Sequence, residues 1–278
     1  MWGIWFDGEA GRHTVVKKIV PIASCDFAAT RFSVRIGDAI LEPQSLKGSV
    51  ASGGHHLTWH LDYGGTQTPL LLLPLKRYMG KFPRSKSLVG LPLAVFNGFW
   101  AGDDKRIEID DWVGSQNHHW GTRHSGDYAW GQVAGFDTHP ESFLEAATAC
   151  LRWGLLRTPY VTPVVLRHRG EEFAFNTFFR ICDSRGSFSH FTWVFRAETR
   201  GILIDGTIAA PRDAFVGLAY PNPAGGLKHC ITTKIASCEV RFEDRRGKKT
   251  KREVLFTRNR AAFEILTDER DHGVPIRS

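Results

Sequence analysis

The sequence contains only two methionines and five cysteines, and the cysteines (Cys25, Cys150, Cys182, Cys230, Cys238) lie far apart with no CxxC among them. An odd, dispersed set without an export signal excludes a disulfide framework and reads as reduced thiols. Long apolar runs are missing as well. Leu70–Leu73, closed in by Pro69 and Pro74, is far too short to span a bilayer. The N-terminus lacks the ordered basic, apolar and small-residue zones of a secretory leader, so the cytoplasm is the expected compartment. No Gly-rich fingerprint precedes a helix, no Walker motif occurs and no GxSxG elbow is present. Nucleotide-driven and α/β-hydrolase chemistry are thereby excluded.

Charge of one sign is in excess, with a net +7, and much of it sits in Arg245–Arg252, RRGKKTKR. A basic run around a glycine reads first as a solvated hairpin tip. The other reading is a phosphate-facing patch or a peripheral membrane contact. No helix-turn-helix, zinc-finger or RNA-sheet signature accompanies it, and no nucleic-acid partner is expected.

What is present is strand signal nearly throughout. Trp2–Phe6 and Thr14–Val20 flank the turn residues Asp7–Gly11, and Leu46–Val50 and His56–Tyr63 flank Gly53-Gly54; both read as hairpins. Within the second, Thr58, His60 and Asp62 alternate with Trp59, Leu61 and Tyr63, giving one polar and one apolar face. Residues 66–92 carry four prolines and read as a long connection with short extended pieces, either a lid or a stiff crossover. Residues 141–153 fit a helical period, yet Phe143, Glu145, Ala147 and Ala149 also fit a period of two, which leaves helix and strand open. From Pro159 onward, strand and turn signals recur every eight to twelve residues or so, as in sandwiches and barrels. The fold class is all-β.

One stretch is densest in chemistry: Trp112–Phe136, WVGSQNHHWGTRHSGDYAWGQVAGF. Three readings compete for it. Metal binding by His118, His119 and His124 is disfavoured, because adjacent strand residues point to opposite faces, and no metal or other cofactor is expected. In the second reading, acid–base chemistry on an apolar substrate, a histidine or carboxyl group beside tryptophan has a shifted proton affinity, and aromatic faces stabilise a developing cation. Here Asp127, His118, His119 and Tyr128 are the catalytic candidates. Trp112, Trp120, Arg123, His124, Trp130 and Gln132, with Trp59 and Trp193 from other aromatic strands, would line the ligand. The third reading is architectural, with tryptophans in the core and glycines at barrel corners.

The block Gly114–Gly121, of the form G-x-x-x-H-x-W-G, followed by Tyr128-Ala-Trp130-Gly-Gln132, resembles the tocopherol cyclase, carotenoid 1,2-hydratase and AttH-like family of lipocalin-related proteins. Leu57–Leu61, Pro83–Lys86 and Gly217–Pro223 with Cys230 support the resemblance over roughly residues 1–267. It implies two lipocalin-like antiparallel β-barrels packed side by side, an N-terminal one over 1–136 and a C-terminal one over 137–278. It also turns Phe143–Trp153 towards strand and places Trp112–Phe136 where the first barrel closes. Against the family's usual pattern, the chain is expected to begin one or two strands late. The implied ligand is a hydrophobic, isoprenoid- or polyketide-like molecule. The implied activity is a cofactor-independent lyase or isomerase reaction (hydration, cyclisation or isomerisation) in which an acid, Asp127 or His118, protonates an alkene. The rival expectation is a non-catalytic lipid or pigment carrier, since fold does not settle function.

Overall fold

Alternation of apolar and polar side chains along the strands decides the architecture, and the computed structural model realises it as curled antiparallel sheets. It describes all residues except 104, 123–125, 151, 154, 155, 223, 224 and 278, with the backbone alone at 152, 153, 156, 157, 178 and 182. Arg123 and His124 therefore lie outside the described residues. The chain divides into two compact units, Met1–Thr68 with Leu91–Gln116, and Pro69–Gly90 with Asn117–Ser278.

In the first unit, Trp2–Asp7 and Arg12–Lys17 form the expected hairpin. A meander then runs through Cys25–Phe27, Val34–Ile36, Ala39–Glu42, Ser45–Ser52 and His55–Gly64 to the long strands Ser85–Gly102 and Lys105–Gly121. Gly53 and Gly54 both take positive φ, as the predicted turn requires. A small core of Val16, Val50 and Leu57 is packed by Met1, Trp59 and Trp100.

The second unit is built on an eleven-stranded sheet. Its central path places Phe143–Ala149 beside Tyr128–Ala134, then Lys251–Thr267 and Leu227–Asp244, all antiparallel. Strand Phe143–Ala149 settles the helix–strand ambiguity, because tertiary pairing overrides local helix propensity. Ala129, Val133, Leu144, Ala146, Phe263 and Ile265 share one core with Trp193, Phe195, Ile204 and Ile208. The Trp193 indole also donates to Thr148 at 3.0 Å, which ties distant strands of the sheet across its concave side. The sheet is thus curled around a single apolar filling, as in a lipocalin half-barrel.

Several expectations are corrected. Tyr128–Ala134 does not close the first sheet; it pairs on both sides within the second. The basic run joins two long strands, Leu227–Asp244 and Lys251–Thr267. Residues 178–182 turn helical, and Arg185–Ser189 pairs with Thr192–Glu198 about a turn at 190–191, with Phe191 at φ 75. The basic run is a hairpin tip, as read, and its three arginines are engaged locally. Arg245 meets Glu198 and Glu243, Arg246 meets Glu171 and Asp244, and Arg252 meets Glu243. Among the described residues, no helix is long and apolar enough to cross a membrane.

The proline-rich segment is folded rather than extended. Leu70–Leu71 pairs with Leu88–Val89, and helix Leu75–Met79 lies between. The Tyr78 hydroxyl donates to Ser87 O at 2.6 Å. Side chains on and just after the hairpin of Val164–His168 and Glu171–Phe175 hold the segment's start, with Arg167 donating to Pro69 O and Asn176 to Leu71 O. It is a strap rather than a loose loop.

Candidate active site

Strand periodicity creates the site. Ala129 and Val133 point into the core, so Tyr128, Trp130 and Gln132 project from the opposite face. Register places Gln132 opposite Glu145 on one side and Trp130 opposite Glu264 on the other. Thr232 lies opposite Glu264, and Cys230 two residues along, on the same face. Two carboxyl groups therefore flank one strand whose row on that face is tyrosine, tryptophan and glutamine.

Glu145 is 1% exposed. The Trp130 indole donates to its Oε1 at 2.8 Å and the Gln132 amide to its Oε2 at 2.6 Å. Burial pushes its carboxyl up from the ordinary range to about 7, even though both hydrogen bonds and the Lys234 charge act the other way. Such a group holds or releases its proton at neutral pH, the property a general acid needs. Gln132 in turn donates to Asn117 Oδ1 at 3.0 Å. That bond joins the two motif blocks through their own side chains.

The glycines of those blocks have a packing reason. A Cβ on Gly131 would stand 2.5 Å from Ile208 Cδ1 and 2.9 Å from Trp193 Cζ3, so the core ring needs the bare backbone. A Cβ on Gly121 would meet Arg84 O at 2.4 Å, where Thr122 N also donates to that oxygen.

Around Glu264 a second set gathers. The Tyr128 hydroxyl donates to Glu264 Oε1 at 2.5 Å. Burial, then the Glu264 charge, hold the Tyr128 phenol well above its usual range. Burial also raises the Cys230 thiol and the Tyr220 phenol, whose hydroxyl donates toward the Cys230 sulfur. All three remain protonated donors at any physiological pH. Tyr78 on the strap is raised by burial, with a further contribution from the Glu145 charge.

The other predicted residues fall in different places. Asp127 forms an ion pair with the buried Lys228, 3.4 Å away, and Lys228 also meets Asp268 at 3.0 Å. Lys228 lies between two carboxylates, and Asp127 serves as its counter-ion. His118 stacks on Trp120 at 4.9 Å, and Trp120 tilts against Tyr78 at 5.9 Å. His119 points to the opposite face and meets Ser85 Oγ at 2.7 Å, so the two histidines diverge as strand geometry requires. Trp130 presents a face already covered by the Lys234 ammonium, 4.9 Å from its centroid.

Three expected ligand contacts lie elsewhere. Trp193 is fully buried in the core. Trp59 packs against the small core of the first unit, and Trp112, which is exposed, stacks on Trp5 with centroids 6.2 Å apart. An open depression of about 750 Å³ also lies in that unit, lined by Gln44, Ser45, Asp62, Tyr63 and Asn97 among others. Its tyrosine hydroxyl is already bonded to Glu42 O, and neither Glu145 nor Glu264 lines it. Volume there does not coincide with chemistry.

Glu145 and Glu264 were missed in the sequence. The signal available was a lone acid at the centre of an apolar strand, Phe-Leu-Glu-Ala-Ala, a position that buried charge rarely occupies without a partner.

No family model matches the chain, and no curated protein matches it in sequence. Solved structures do match in fold. Kievitone hydratase from Nectria haematococca superposes with a TM-score of 0.51 at 12% identity, over 92% of this chain and 74% of that one. A putative AttH protein from Nitrosomonas europaea gives a TM-score of 0.50 at 12% identity, over 92% and 75%. At such identity the likeness speaks for architecture, and it agrees with the resemblance carried by the two motif blocks. The chain has an AttH-like fold of lipocalin-like curled sheets.

Proposed function

We propose that the face around Trp130 binds a hydrophobic, alkene-bearing small molecule of isoprenoid or polyketide type and adds water to it, with Glu145 as the acid. The observation that carries this reading is the buried Glu145 carboxyl, poised near pH 7 between Trp130 and Gln132. The similarity in fold to a protein named as a hydratase agrees with it. In the forward step Glu145 gives its proton to one alkene carbon, and the C=C π pair forms the new C–H bond. Water then attacks the adjacent cationic carbon, and the oxonium returns a proton to the Glu145 carboxylate. The net change is addition of one water, with no electron donor or acceptor. Tyr128 and Glu264, joined by a short hydrogen bond, leave acceptor lone pairs on the same face to orient water or a substrate hydroxyl. Cyclisation is the same first step with a substrate hydroxyl in place of water.

The experiment is incubation with a panel of prenylated and terpenoid alkenes in oxygen-18 water, read by mass spectrometry. A product carrying one heavy oxygen, formed by the wild type and lost in Glu145→Gln, supports the reading. A product formed equally by both removes Glu145 from the chemistry.

One observation favours a second reading, carriage without catalysis. Both Glu145 oxygens already accept hydrogen bonds, and Lys234 covers the indole face, so the cluster can serve as a buried polar brace beneath a bound lipid. Organic extraction of purified protein distinguishes the two. A single unaltered lipid in every preparation favours carriage, and a pair of compounds differing by one water favours the hydratase.

A further inference from the structure

A second cluster of ligating side chains lies in the same unit but outside this face. His139 sits in the turn joining Tyr128–Ala134 to Phe143–Ala149, His168 ends the strand Val164–His168, and Glu253 lies near the start of Lys251–Thr267. One ligand atom from each lies within 4.8 Å of the others. The turn carrying His139 is fixed on the long strand by backbone bonding from Thr138 N to Phe256 O and by Phe256 N to Thr138 Oγ1 at 2.8 Å. Rigid elements hold all three.

The hydrogen bonds define which atoms are bare. Ser142 Oγ donates to Glu141 at 3.4 Å and lies 2.8 Å from His168 Nδ1. In the tautomer that fits Ser142 giving its proton to Glu141, Nδ1–H donates to Ser142 Oγ and Nε2 carries the lone pair. His168 is 1% exposed, and its Nε2 makes no hydrogen bond. It lies 3.3 Å from Glu253 Oε2, so two acceptors face each other in a buried place. Glu253 Oε1 is also buried without a hydrogen bond. His139 Nε2 lies 3.4 Å from the same Oε2.

The two nitrogen-to-carboxylate spacings match an ion's coordination edge, and the two imidazole nitrogens lie within 4.8 Å of each other. With metal–ligand bonds near 2.0–2.1 Å, a tetrahedral zinc site separates neighbouring ligand atoms by about 3.3–3.4 Å. A cation between the bare imidazole nitrogen and the carboxylate would also resolve the facing acceptors. From this geometry we propose that His139 Nε2, His168 Nε2 and Glu253 form a three-ligand site for a first-row divalent cation, zinc by its nitrogen and oxygen donors. Ser142 orients His168 from behind, as outer partners of metal-bound histidines do. The fourth position opens to solvent beside His139, whose side chain is 23% exposed. The Arg169 guanidinium meets Glu253 Oε2 at 2.7 Å, and its side chain is 55% exposed and free to withdraw.

The test uses full-length protein stripped with chelator and titrated with zinc by calorimetry and with cobalt by visible absorption. The expected result is one equivalent bound, a tetrahedral cobalt band and a zinc-dependent rise in melting temperature. His139→Gln, at a partly exposed position, should fold normally and bind about tenfold more weakly or worse. Arg169→Gln should bind zinc more tightly, because it removes the competing cation. The absence of saturable zinc binding overturns the proposal and leaves an arginine–histidine–carboxylate ion cluster. Equal binding by the wild type and His139→Gln also overturns it, and so does weaker binding by Arg169→Gln.

Discussion

The Trp130 indole N–H and the Glu145 carboxyl meet at 2.8 Å on the face of the large sheet turned away from its core. The bond stabilises the ionised form, while burial favours the neutral one, and burial wins. Removing the donor should widen the gap. Trp130→Phe is expected to raise the Glu145 proton affinity above about 7 and to shift the basic limb of the pH–rate profile upward. An unmoved limb would show that another group sets it.

The same carboxyl makes stability depend on pH. Its proton affinity is higher folded than unfolded, so its contribution is complete below about pH 4.5 and is lost as pH rises through about 7. The full loss is about 3 kcal/mol. Urea unfolding at a series of pH values should show the wild type weakening across that window relative to Glu145→Gln.

Asp127 offers the contrast. Its carboxylate faces the buried Lys228 ammonium, which keeps Asp268 as a second partner. Asp127→Asn is therefore expected to lower stability by roughly 1–3 kcal/mol while leaving product formation within a few-fold. Loss of turnover with unchanged stability would return the acid role to Asp127.

Gly131→Ala tests why the motif reads Trp-Gly-Gln. Its new methyl would stand 2.5 Å from Ile208 and 2.9 Å from Trp193, so the core must shift. Overpacking of this kind costs about 1–3 kcal/mol. Thermal melting should reveal the loss, together with a change in fluorescence from the displaced Trp193 indole.

Much of this fold is legible in local pattern, because turns and alternation are local. The hairpins around Asp7–Gly11 and Gly53-Gly54 and the basic tip all stand where glycine and charge put them. The divergence of His118 and His119 follows from strand geometry alone, and it is what the ring stacking and the Ser85 contact display. What stayed hidden depends on pairing across the chain. Lys228 reaches Asp127 from 101 residues away and Glu264 reaches Tyr128 from 136. No spacing rule connects such partners. Glu145 was visible as a member of a two-residue period, but its partner Gln132 becomes known only once the register of two strands is known. The tryptophans misled for a related reason. Trp193 and Trp130 look alike in sequence, yet strand parity sends one into the core and the other to the polar face.

The account turns on whether Glu145 carries a proton at neutral pH, and its carboxyl titration measures that directly. Carbon-13 NMR of glutamate-labelled protein, with the Glu145 resonance assigned by its disappearance in Glu145→Gln, should give a midpoint at about 7. A midpoint in the ordinary carboxylate range, near 4.5, would contradict the account.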